Sequence, residues 1–125
     1  MIINSIKTKK ILPFQQDIFA ILDKYLISMP EGSILAVTSK IVAICENNIV
    51  TKEGTVKDKL IESEADYYLP NRQSKYGYLL TIKNNVLLPS AGIDESNGAG
   101  YYILWPKNPQ KSANEIYRII RNIGF

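Results

Sequence analysis

Four residues in a row, Asp94, Glu95, Ser96 and Asn97, stand between Gly92 on one side and Gly98 and Gly100 on the other. An apolar run ends at Pro89 before them, another starts at Tyr101 after them, and both runs read as strands. Two neighbouring acids can hold a hard divalent ion. A hydroxyl, an amide and the backbone N–H groups of a Gly-rich bend can donate to phosphate oxygens. The glycines admit close backbone approach and positive φ. The same residues also describe a polar turn between two strands, with Asp94 capping its own backbone. Residue types alone leave both readings open. An EF-hand loop is excluded, because its alternating acids and distant closing Glu are absent.

A second chemical stretch is "AVTSK", Ala36 to Lys40. An apolar run ends there in the hydroxyls of Thr38 and Ser39 and the ammonium of Lys40. The carboxyl end of a strand is the usual ligand edge of an α/β sheet, and lysine serves phosphate as a point charge. The plain alternative is a strand end with a solvated lysine. The spacing of a P-loop is missing. The third stretch, "YYLPNRQSKYGY", carries Tyr67, Tyr68, Arg72, Lys75, Tyr76 and Tyr78. These groups suit stacking on a ring or gripping an anion, and equally suit a surface loop packed by its own tyrosines.

Composition limits what these residues can do. The chain has 125 residues, no histidine and one cysteine. Without histidine there is no Ser-His-Asp or Cys-His nucleophile system, and His-rich or multi-Cys zinc sites are excluded. Any metal must be held by oxygen donors, which selects a hard ion such as magnesium or manganese. Fifteen basic against twelve acidic residues leave a formal charge of +3. The basic residues are scattered, so no nucleic-acid stripe is expected. No apolar run reaches the ~18 residues of a membrane span, and the N-terminus lacks a signal-peptide core. With Cys45 alone there is no internal disulfide, so the expected location is cytoplasmic. Cys45 itself reads as a buried, inert thiol.

The elements that must position these groups alternate in type. Residues 2–11 read as an opening strand. "QQDIFAILDKYLIS" places Ile18, Ile21, Leu22, Tyr25 and Leu26 on one helical stripe. "MPEG" is a turn. "SILAVTS" predicts a strand buried on both faces. A turn at Asn47-Asn48 and a short strand ending at Gly54 follow. "TVKDKLIESEADYYL" predicts a helix with Leu60, Ile61 and Ala65 inward. "YLLTIKNNVLLPS" predicts a hairpin turning at Asn84-Asn85, where positive φ is needed. "YYILW" is a further strand. Asn108 as N-cap and Pro109 at the first position open a last helix, with Ile116, Ile119, Ile120 and Ile123 inward. The expected architecture is α+β, a mixed and largely antiparallel sheet packed with about three helices in one domain over residues 1–125.

Three segments together resemble the coenzyme F420-0:L-glutamate ligase (γ-glutamyl ligase) family: "GSILAVTSKIVA", then "SAGIDESN", then "ILWPKNPQKSANEI". They stand in that family's order, and the resemblance runs from about Ile11 to the end. It implies amide-bond synthesis. GTP and a divalent metal, Mg2+ or Mn2+, activate a carboxylate of a coenzyme F420-0-like substrate as an acyl phosphate, and L-glutamate supplies the attacking amine. Carried over by motif, Asp94 is a metal ligand. Ser39 and Lys40 contact nucleotide phosphate, Ser96 and Asn97 contact phosphate or the metal's shell as part of the nucleotide site, and Glu95 has no assigned role. No catalytic residue is assigned. Family chains are about twice as long, so the resemblance also implies that this chain corresponds to their N-terminal half. The expected partners are the nucleotide, a small carboxylate substrate, and either a second copy or a complementing C-terminal half. No nucleic acid or membrane partner is expected. The alternative is a non-catalytic module of the same fold that binds a nucleotide or a partner chain.

Overall fold

A computed structural model describes residues 1–70, 75–96 and 98–124. It folds as two compact units, one of residues 1–47 with 106–125 and one of residues 48–105. The architecture is α+β, and every strand pairing among the described residues is antiparallel.

The first unit is helical. In α1 (Ile18–Tyr25), the Asp17 carboxylate accepts from the Ala20 N–H at 2.8 Å and so caps the helix start. The capping satisfies a backbone donor that the helix itself leaves open. The last helix, α4 (Pro109–Ile123), opens as expected: Asn108 Oδ1 accepts from Lys111 N at 3.0 Å, with proline at the first position. Its stripe does the packing. Ile116 and Ile120 are buried with Leu22 and Leu26, and Ile119 and Ile123 lean on the same cluster. Between them α2 (Ser39–Cys45) ends at Glu46, whose carboxylate accepts from Ser112 Oγ at 2.6 Å and Lys107 N at 3.1 Å.

Two strand expectations fail in this unit. Residues 2–11 form no strand and 2–10 are exposed. "SILAVTS" is not a strand buried on both faces either. Residues 33–38 join no ladder, Leu35 and Val37 turn to the helical cluster, and Ile34 is 94% exposed. From Ser39 the chain is helical, because Thr38 Oγ1 caps Ile41 N and the following residues bury Ala43 and Ile44. A β-branched run becomes a strand only where a neighbour offers backbone partners. The described neighbours here are helices.

In the second unit, β1 (Ile49–Thr51) pairs with β5 (Tyr101–Ile103) in the register Ile49 to Ile103. Helix α3 (Lys57–Glu64) buries Ile61, with Leu60 and Ala65 packed beside it as expected, but it is shorter than the expected helix: Tyr67 and Tyr68 leave it to pair as a strand with Ile82 and Thr81. β2 (Tyr67–Tyr68), β3 (Leu80–Lys83) and β4 (Val86–Pro89) form a three-stranded sheet. Asn84 and Asn85 both have positive φ, 50° and 61°, so the hairpin turns where expected. The core of this unit is Ile61, Leu79, Ala91, Ile93, Tyr102 and Leu104. Among the described residues, no helix is long and apolar enough to cross a membrane.

Candidate functional site

The acid-bearing turn is fixed from below by a buried hydroxyl. Thr81 on β3 is 1% exposed. Its Oγ1 donates to the Leu88 carbonyl of the facing strand and accepts from Ala91 N at 2.8 Å. One side chain therefore ties the hairpin to the segment that leaves it. That segment, Ser90–Gly92, runs through three left-handed residues with φ of 54°, 51° and 72°. Such a run is costly for Ser and Ala and persists only where the surroundings impose it. Gly92 has a second reason to be glycine: a Cβ there would lie 2.5 Å from the Trp105 ring.

Ile93 then enters the core, and Asp94 emerges half-buried. The Asp94 backbone makes a two-way bridge with Ile103 of β5, N–H to carbonyl in each direction at 2.9 and 2.8 Å. Asp94 Oδ1 accepts from Ser96 N at 2.8 Å and Ser96 Oγ at 2.7 Å. Both readings of the turn thus meet in one atom. The carboxylate shapes its own loop, and it also presents negative charge on a rigid support. Gly98 closes the segment under the Tyr101 N–H, which donates to its carbonyl at 3.0 Å.

Two lysines not singled out in the sequence converge on this turn. Lys57, the first residue of α3, pairs with Glu95 Oε1 at 2.7 Å. Lys52, just beyond β1, donates to the Glu95 carbonyl at 2.7 Å and stands 5.6 Å from the Tyr102 ring centre. The hydrogen bond from Lys57, followed by its charge, holds the Glu95 carboxyl below the usual carboxylate range; the more distant Lys52 charge adds to this. The two lysines flank Gly54 in "TKEGTVK". The β1–β5 pairing and the packing of α3 on Ser90–Gly92, both long-range contacts, bring that stretch to the turn.

The other sequence candidates are placed as follows. Ser39 and Lys40 are the first two residues of α2 in the first unit, half-buried, directly after the Thr38 cap. Asp94 and Ser96 are brought together in the second unit. Asn97 and Arg72 lie outside the described residues. Tyr67 and Tyr68 pair with β3, and with Tyr76 and Tyr78 they are exposed; Lys75 stands 5.7 Å from the Tyr76 ring centre. Cys45 is half-buried, and burial, then the charges of Asp17 and Glu46, push its thiol up to about 11. A groove of about 340 Å³ in the first unit is lined by residues including Lys7, Lys24 and Tyr25, and by none of the candidate residues.

The donor set at the turn is one carboxylate on a fixed backbone, a hydroxyl beside it and a second carboxylate held by lysine. Among the described residues, no three His, Cys, Asp or Glu side chains gather as a metal cage. Oxygen donors and ammonium groups on a left-handed, glycine-containing bend belong to phosphate and hard-ion chemistry. The family model for F420-0:Gamma-glutamyl ligase matches residues 5–124, and the chain belongs to that family. A ligase role, in that broad sense, comes with the membership. No solved structure matches the chain.

Proposed function

We propose that the chain serves a GTP- and divalent-metal-dependent ligase that joins L-glutamate to a carboxylate substrate like coenzyme F420-0. The observation that carries this reading is the Asp94 turn: a carboxylate pinned by the Ile103 bridge and flanked by a hydroxyl and two lysines. One or two carboxylates with phosphate oxygens and water are the usual company of magnesium. The donor set fits such an ion better than a cage made by protein alone. Asp94 would hold it, and the bound ion would neutralise charge on the nucleotide phosphates.

The reaction transfers the terminal phosphoryl group of GTP to the substrate carboxylate, giving an acyl phosphate and GDP. The amine of L-glutamate attacks the acyl carbon, the C–O bond to phosphate breaks, and inorganic phosphate leaves. The amine gives up a proton as the amide forms. Phosphoryl transfer needs positioning and charge neutralisation more than covalent help from protein, so a chain without histidine can serve it. Ser96 and Asn97 would donate to phosphate oxygens; Ser39 and Lys40, at the start of α2, would serve as nucleotide contacts in their own unit.

Thermal-shift titration of the chain against GTP, ATP and GDP, each with and without Mn2+ or Mg2+, tests the reading. A ligand that binds only the folded state raises the melting temperature. A rise with GTP that requires metal is expected. No rise with any nucleotide removes the reading. Metal-dependent binding with no glutamate ligation, even with a complementing C-terminal half present, would mark a non-catalytic module instead.

A further inference from the structure

Lys52 and Lys57 reach the turn from different elements, and both end on Glu95. Lys57 meets its carboxylate, an anionic oxygen 2.7 Å away. Lys52 donates to the neutral Glu95 carbonyl, at 2.7 Å, and lies over the Tyr102 ring. We propose that Lys52 and Lys57 form an anion subsite for the terminal phosphate of the nucleotide, and that the Glu95 carboxylate stands in for that phosphate until the ligand arrives. This rests on the ligase reading above and adds to it the residues that take the outermost charge.

Charge and exposure support the arrangement. Lys57 is neutralised by the Glu95 carboxylate while Glu95 is folded onto it, and Lys52 rests on the Glu95 carbonyl. With Glu95 turned away, Asp94 can serve a metal and both lysines can serve phosphate oxygens. Lysine suits that task as a compact charge. The displacement costs little: the Lys57 and Glu95 side chains are 32% and 50% exposed, and a solvent-screened pair of this kind is weak. Glu95 can return to water without breaking anything else, since the loop is held by the Asp94 and Ser96 hydrogen bonds and not by its side chain.

Titration calorimetry with Mg·GTP, and separately with inorganic tripolyphosphate, tests this on the whole chain. Lys57→Ala is expected to weaken binding about tenfold, the loss of one charge-assisted contact. Lys57→Arg keeps the charge and is expected to restore most of it. Glu95→Gln is expected to tighten binding roughly two- to fivefold, because a weak competing pair is removed. In the Lys57→Ala background that gain should vanish, since the two residues act on each other. Melting curves of each variant confirm folding. Equal tightening by Glu95→Gln in both backgrounds would reduce the effect to overall charge and overturn the proposal. Wild-type Mg·GTP binding with both single variants unchanged would overturn it too, leaving the ligase reading in place. Tripolyphosphate binding with the expected signs but no GTP binding would keep the subsite and sink the nucleotide reading. Binding of neither ligand would sink both.

Discussion

The start of α2 and the turn at Asp94 both offer a hydroxyl and a charge, but they are held in different ways. At α2 the backbone is ordinary helix, and one cap hydrogen bond from Ile41 N to Thr38, at 3.4 Å, sets the first turn. Ser39 and Lys40 are side chains hung on that helix. At Asp94 the backbone itself is constrained: three left-handed residues precede it, Thr81 grips the first part, and Ile103 bridges the acid from both sides. The first region can change a side chain and keep its shape. The second can do so only where the new side chain keeps the same hydrogen bonds, because the shape and the charge come from the same residues. A fixed carboxylate is what a metal with few protein ligands needs, since little else would position it.

Substitutions can break that contrast. Gly92→Ala should be the most damaging, about 2–4 kcal/mol, because it adds a left-handed Ala and a Cβ pressed into the Trp105 ring. Chemical denaturation would measure it; a loss below ~0.5 kcal/mol, the range of an ordinary surface change, would mean that the turn relaxes freely. Thr81→Val should cost about 1–3 kcal/mol by stranding the Ala91 N–H, with Thr81→Ser recovering most of the loss. Lys40→Ala should leave the melting temperature nearly unchanged and weaken GTP binding by about 1–3 kcal/mol. Unaltered affinity would remove Lys40 from the site. The smallest effect is expected at the other end of α2. With its thiol pushed up to about 11, Cys45 should be alkylated more slowly at pH 8 in the folded chain than in the unfolded one. Its folded value is raised, so the contribution to stability is present below the unfolded pKa of ~8.5 and is lost as pH climbs toward the folded value.

Local signals are legible in the sequence and long-range ones are not. The hairpin at Asn84-Asn85, the Asn108-Pro109 helix start and the isoleucine stripe of α4 each depend on neighbours within a few residues, and each is present. "SILAVTS" went the other way. Its β-branched residues say that a strand would be tolerated, and say nothing about whether a partner strand is there. At the site, Asp94 and Ser96 were legible because they are adjacent in the chain and share a turn. Lys52 and Lys57 were not, since 38 residues separate Lys57 from the carboxylate it meets. Nor does the spelling "SAG" announce its left-handed backbone, because only glycine advertises that conformation.

The central claim is that the Asp94 carboxylate binds a metal ion with the nucleotide and is more than the cap of its own turn. Asp94→Asn separates the two roles, because an amide oxygen can still accept from Ser96 N and Ser96 Oγ while the charge is gone. Calorimetric titration of GTP in Mg2+ into wild-type and Asp94→Asn chains, with melting curves alongside, reads both. The account predicts an unchanged fold and the loss of metal-dependent GTP binding. Equal affinity in the two chains would contradict it.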